Sequence, residues 1–303
     1  MLKIGTRGSE LALWQTQQVR QLLAREGKES EAEIIQTFGD QNLHQPIYQY
    51  GIQGVFTRSL DTALLNEKVD LAVHSLKDVP TLLAEGLVLA AVLPRGSYQD
   101  VIVGTRAWQG EPIADKWHIA TSSLRRKAQW AHRYPHSEFS NIRGNIQTRL
   151  AKTQKSSWDG VIMAEAALQR LAIADQYPLQ VLDWMIPAPA QGAIGIVCRQ
   201  DQPELIKQLA RLSHPPTHRA VSLERSFLRK LQAGCSAPVG ALAQVAGEQI
   251  HFQAVILRTD GSERIFREWT LDSSQLAGAS ERYAESMIKA GAADILKESA
   301  YEN

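Results

Sequence analysis

Cys235 sits in LQAGCSAPVG (231–240), a thiol surrounded by small residues and proline. It is one of two cysteines in a chain of 303 residues. The other, Cys198, lies in the apolar run AIGIVC and reads as a small core hydrophobe on a buried strand. No such run surrounds Cys235, and its setting alone leaves open a loop cysteine without a role. A second chemically capable group is Lys77-Asp78 in AVHSLKDVP (72–80). Both charges follow a buried strand at its carboxyl end, where ligand chemistry gathers in open α/β sheets. A plain surface ion pair does not explain that placement. Asp78 suits the balancing of a cation that develops during a reaction.

Arginines form the third group. IGTRGSELALW (4–14), IATSSLRRKAQW (119–130) and NIRGNIQTRLA (141–151) share one design: strand, arginine or hydroxyl loop, helix start. Ser9, Ser122 or Ser123, and Asn145 suit the N-cap positions. The N–H groups and positive dipole end of such starts attract anions. Arg125, Arg126 and Lys127 instead place cations in a first turn, where the dipole disfavours them. A solvated face is the ordinary explanation of a basic run. Here a local rule is broken without local gain, which marks functional positions. With Arg7, Arg143 and Arg149 at equivalent junctions, we expect a cleft that grips several carboxylates or phosphates.

The elements that must position these groups follow from periodicity. LKIGT, EAEIIQTF, DLAVHSL and LVLAAVL read as strands alternating with the helices ELALWQTQQVRQLLARE and TRSLDTALLNEK. After Pro94 the pattern restarts with DVIVG, HIATS, EFSNI and GVIMA, the last three each followed by a helix. AIGIVCR (193–199) is expected to return the chain to the first sheet. This predicts two α/β units, with mainly parallel sheets and helices on both faces, around a ligand cleft. From about residue 215 a helix, HRAVSLERSFLRKLQ, leads into three strands with an Asp260-Gly261 hairpin signal between the last two. A helix from about Ser280 to Glu298 completes a small α+β domain. The expected divisions are 1–94 with 190–212, then 95–189, then 213–303.

Hydrophobic residues are 44% and charged residues 21% of the chain, with 33 basic and 32 acidic side chains. That composition is an ordinary globular one and selects neither nucleic acid nor an anionic membrane as partner. No secretion signal, membrane span or disulfide framework is read, so the cytoplasm is the expected compartment. No nucleotide-binding glycine loop, GxSxG or HExxH is present. His214 and His218 flank two prolines and are expected in a surface loop, with no metal site.

Taken together, GTRGSELALWQ, VHSLKDVP, TSSLRR, IRGNIQTRL, PAPAQGAIG and GCSAPVGA resemble the porphobilinogen deaminases, also called hydroxymethylbilane synthases. The resemblance runs in order from about residue 3 to the last helix. It implies three domains, the first two arranged like a periplasmic binding protein. It also implies a dipyrromethane cofactor held through a thioether to Cys235. Four porphobilinogen molecules would be joined to it with loss of ammonia, and hydrolysis would release hydroxymethylbilane. Positive charge develops on pyrrole nitrogens, so Asp78 would be the catalytic carboxylate; a preorganised partner of this kind contributes on the order of 3 kcal/mol. Lys77, Ser9, Thr121, Ser123, Arg125, Arg126, Arg143 and Gln191 would hold the cofactor, and Arg7, Arg149 and Phe56 the substrate. A monomer is expected, with its product passing to uroporphyrinogen-III synthase.

Two departures from the family pattern concern the loop over the cleft. Gly51-Ile52-Gln53-Gly54-Val55-Phe56 lacks the usual lysine, and Phe38 replaces a basic residue before Gly39-Asp40. Two rival readings stand beside the enzyme. A non-catalytic paralogue binding a small polycarboxylate would not need Cys235. An RNA-binding protein using residues 119–151 would need interleaved aromatics that this segment lacks.

Overall fold

A computed structural model describes residues 1–37, 57–104, 116–234 and 237–301. In the first unit, β1 (Leu2–Thr6) leads into α1 (Glu10–Arg25) and β2 (Ser30–Ile34). Helix α2 (Arg58–Leu65), β3 (Leu71–Ser75) and β4 (Leu87–Val92) follow. In the second unit the order is β5 (Asp100–Gly104), β6 (His118–Ala120), α3 (Leu124–Arg133), β7 (Glu138–Ser140), α4 (Ile146–Gln154), β8 (Gly160–Ala164), α5 (Glu165–Arg170) and β9 (Leu179–Val181). Strand β10 (Ile194–Arg199) then pairs with β3 and β4, closing a sheet of order β2-β1-β3-β10-β4. The expected return of AIGIVCR to the first sheet is therefore observed.

Helix α1 covers one face of that sheet, where Val19 and Leu23 pack on Ile4, Leu71, Val73 and Ile196. Helix α2 covers the other through Leu60 and Leu64 against Ala72 and Val197. The second sheet has order β7-β6-β8-β5-β9. It too is clothed on both sides, by α4 and α5 residues Leu150 and Leu168 and by Trp130 of α3. Burial on both faces explains why these strands read as unbroken apolar runs. One strand in each interior, β10 and β5, runs antiparallel to its neighbours. Where the chain crosses back, Gly192 has φ +83° and a Cβ there would lie 2.4 Å from the Ser97 carbonyl oxygen. Only glycine permits the two crossing segments to touch in this way.

Helices α6 (Pro203–Ala210) and α7 (Pro215–Lys230) lead to a meander of β11 (Val239–Ala246), β12 (Gln249–Leu257) and β13 (Arg264–Asp272). The β12–β13 turn holds Asp260-Gly261 as expected, with Gly261 at φ +80°. Phe227, Phe252, Tyr283 and Met287 fill the core between this sheet and its helices. Two local expectations fail. His214 and His218 do not lie in a surface loop: His214 caps α7, Pro215 and Pro216 open it, and His218 is in its first turn. Proline at the first helical position lacks only an N–H that would have no helical partner, so the pair starts a helix instead of preventing one. The last helix is also divided into α8 (Ala279–Met287) and α9 (Ala293–Tyr301), with Gly291 at φ +102° between them. Among the described residues no His, Cys, Asp or Glu cluster could hold a metal, and no helix is long and apolar enough to cross a membrane.

Candidate active site

The site begins where helix starts and strand ends converge. Ser9 accepts a hydrogen bond from the Ala12 N–H, Ser123 from Arg126 and Asn145 from Thr148, so all three hydroxyl or amide caps form as read. Ser123 is the cap of its helix, while the Ser122 hydroxyl donates to the Ile142 carbonyl at 2.8 Å. After β3, Leu76–Asp78 form a single helical turn carrying Lys77 and Asp78. Arg225 of α7 grips that turn, donating to the carbonyls of Val79 at 2.8 Å and Pro80 at 2.7 Å. A cavity of about 80 Å³ opens between Arg7, Ser9, Gln15, Thr57, His74 and Asp78.

Arg125 and Arg126 are not a solvated face; they are 4% and 6% exposed. Their first-turn position is explained by Asp100, the opening residue of β5, which is fully buried. Its Oδ2 accepts Arg125 Nη1 at 2.6 Å, and its Oδ1 accepts Arg126 Nε at 3.0 Å and Nη2 at 2.8 Å. Gln191, also fully buried, donates to Asp100 at 2.9 Å and accepts from Lys77 Nζ at 3.2 Å. Thr121 supports the same corner by accepting the Ser123 N–H at 3.2 Å. Burial works against ionisation of Asp100, but the two guanidiniums outweigh it and hold the carboxyl well below the usual range.

Lys77 is pushed down to about 8, first by burial and then by Arg126, against the pull of Asp78 and Asp100. Arg149 is lowered to about 10 by burial and then by Arg126 and Arg143, with Asp78 acting in the opposite direction and Arg7 adding to the repulsion. Residues of both α/β units therefore share one electrostatic neighbourhood. His74 is held down to about 4 by burial and by Arg7. Its buried Nε2 has no hydrogen-bond partner among the described residues.

Asp100, Gln15 and His74 were not singled out in the sequence. Asp100 had a signal, a carboxylate at the edge of the apolar run DVIVG, comparable to Asp78 after LAVHS. Cys235 and Phe56 lie outside the described residues, as do Phe38 and Gln53. Cys198 is buried, and burial pushes its thiol up to about 11, as suits an inert core residue.

Cations from both α/β units, Lys77 from the first and the buried Arg125 and Arg126 from the second, gather around Asp100 beside Asp78, an arrangement suited to a ligand that carries several carboxylates. Residues 2–207 match the family model "Porphobilinogen deaminase, dipyromethane cofactor binding domain", and residues 218–289 match "Porphobilinogen deaminase, C-terminal domain". A porphobilinogen deaminase of Nostoc sp. is 38% identical over 97% of this chain and 93% of its own. One of Moorella thermoacetica is 37% identical over 98% of this chain and 96% of its own. The chain belongs to the porphobilinogen deaminase family. It is a transferase of tetrapyrrole biosynthesis that condenses porphobilinogen to hydroxymethylbilane with loss of ammonia, using a dipyrromethane cofactor. The non-catalytic reading has no support. Among solved structures, the second substrate-binding domain of a putative amino acid ABC transporter from Streptococcus pneumoniae covers 70% of this chain and 91% of its own, at 11% identity and a TM-score of 0.44.

Proposed function

We propose that Asp78 is the catalytic carboxylate and that the surrounding cations divide the work of holding cofactor and substrate. The observation that carries this reading is the run of contacts from Arg125 and Arg126 through Asp100 and Gln191 to Lys77, the neighbour of Asp78, with Arg7 and Asp78 lining one cavity. The donor set fits a polycarboxylate pyrrole chain: Lys77, Arg125 and Arg126 are cations largely withheld from water, where pairing with carboxylates is strongest. When bound, the dipyrromethane supplies the free α-carbon to which porphobilinogen is joined. In this reading Ser9, Lys77, Thr121, Ser123, Arg125, Arg126, Arg143 and Gln191 hold it. Arg7, Arg149 and Phe56 take the incoming substrate. Asp78, half-buried on a turn gripped by Arg225, can face positive charge developing on a pyrrole nitrogen without moving to do so.

Cys235 anchors the cofactor in this reading. It follows α7 by a few residues, so one helix joins the anchor to the turn bearing Asp78. The domains run 1–94 with 190–212, 95–189 and 213–303, each containing one of the three sheets. The protein acts as a cytoplasmic monomer and hands its product to uroporphyrinogen-III synthase. Intact mass tests the core of the proposal. Wild-type protein should exceed its sequence mass by a two-pyrrole unit, and Cys235→Ser should remove both that excess and turnover. Active protein of unmodified mass would refute it.

A further inference from the structure

The carboxylate of Asp100 touches no solvent, yet its partners reach the centre of the proposed site. It meets Arg125, Arg126 and Gln191 directly, and Gln191 passes the contact on to Lys77, the neighbour of Asp78. Arg125 and Arg126 are further tied to the carbonyls of Ile186 and Ile162, both at 2.8 Å. These carbonyls fix where the guanidiniums lie but supply no full charge. Asp100 is the only carboxylate bonded to either guanidinium among the described residues. Without it, two adjacent buried cations would repel each other in a medium that screens them poorly.

We infer that Asp100 is a positioning residue for the reaction: through Arg125, Arg126 and Gln191 it sets the cationic wall, and through Gln191 it sets Lys77. The inference rests on the site proposed above. One anion against two guanidiniums leaves the wall positive, so cofactor carboxylates still find an attractive surface. The same anion keeps the guanidiniums in place before any ligand arrives, which reduces the reorganisation needed on binding. It also sustains the charge of Lys77. Burial, Arg126 and Arg125 act against protonation there, and Asp78 and Asp100 act for it.

Two variants separate geometry from charge. Asp100→Asn removes the anion, and Asp100→Glu keeps it but displaces it by a methylene. The readouts are the fraction of purified protein carrying the two-pyrrole mass, the pH profile of porphobilinogen consumption, and circular dichroism for the fold. In Asp100→Asn, loading should fall at least about tenfold, as expected when a charge-assisted contact is lost. The basic limb of the residual activity should move about one pH unit lower, because Lys77 loses one of the carboxylates that keep it charged. A merely structural role would not move that limb. In Asp100→Glu the limb should stay while loading falls several-fold.

Folded Asp100→Asn with wild-type loading and an unmoved limb would overturn the inference. If Asp100→Asn does not fold, Asp100→Glu decides: wild-type loading and turnover there would overturn it. Wild-type protein without the two-pyrrole mass would overturn the proposed site and this inference together, a result distinct from failure of Asp100 alone.

Discussion

Asp100 and Glu224 are both fully buried carboxylates holding arginine, and they serve different ends. Glu224 of α7 receives Arg95 Nη1 at 2.6 Å and Nη2 at 3.2 Å, the Ala190 N–H at 2.6 Å and the Ala243 N–H at 2.7 Å. Its donors come from the end of the first strand group, the returning segment and the β-meander. A carboxylate has about four acceptor positions, so this cluster is saturated by protein alone, and its single pair of charges cancels. Asp100 carries two guanidiniums on one negative charge, and Arg126 keeps a second hydrogen on each terminal nitrogen beyond its bonds to Asp100 and Ile162. A saturated, neutral cluster joins parts of a molecule. One with cationic charge left over can also bind.

The largest test of that contrast is Glu224→Gln. It leaves Arg95 without its anion and turns amide hydrogens toward backbone donors. Breaking a buried pair in this way costs about 3–5 kcal/mol. Urea unfolding should show that loss, while protein that remains folded should still carry its two-pyrrole mass. Normal stability with lost loading would reverse the roles assigned to the two clusters.

His74 lines the cavity with Arg7 and Asp78, and its buried Nε2 has no hydrogen-bond partner among the described residues. Its folded-state value of about 4 lies below the ordinary 6.5. Between those values the unfolded chain binds a proton that the folded protein refuses, so stability is lost as pH falls from about 6.5 to 4. The effect from pH 7 to pH 4 is about 3 kcal/mol. His74→Gln should reduce the fall in unfolding free energy over that range by about this amount. An equally steep fall in the variant would assign the acid sensitivity to other groups.

The contrast between the two clusters was only partly legible in the sequence. Strands such as DVIVG and GVIMA were readable because burial on both faces leaves them uniformly apolar. Helix starts were readable because Ser9, Ser123 and Asn145 act on N–H groups three residues away. The role of Asp100 was hidden because its partners Arg125 and Gln191 lie 25 and 91 positions along the chain. Glu224 is equally silent in SLERSF, where it looks like any helical glutamate. Local signals reveal backbone partners; charge neutralisation across elements emerges only from the fold. The same limit applies to His214 and His218, whose prolines read as loop until the helix that they open is seen.

Asp78→Asn sharpens the comparison from the chemical side. The amide keeps the size and one acceptor, so porphobilinogen should still bind, but the negative charge facing the pyrrole nitrogen is gone. The ring-joining step should slow at least about a hundredfold, equivalent to roughly 2.7 kcal/mol. Single-turnover rates on cofactor-loaded variant, with circular dichroism as the folding control, measure this. A rate within a few-fold of wild type would make Asp78 structural.

The smallest expected effect is also the most discriminating. Arg126→Leu removes one of the two cations on Asp100, yet Arg125 and Gln191 remain bonded to that carboxylate. The buried anion is therefore not abandoned, and unfolding free energy should fall by less than in Glu224→Gln. The lost guanidinium would otherwise present its second terminal hydrogens to cofactor carboxylates, a charge-assisted contact whose loss corresponds to at least about a tenfold change. Loading measured by intact mass should drop by that factor in protein that is otherwise folded. If instead stability falls as far as in Glu224→Gln while the folded fraction is fully loaded, the Asp100 cluster is a second structural joint and its extra cation is not a ligand contact.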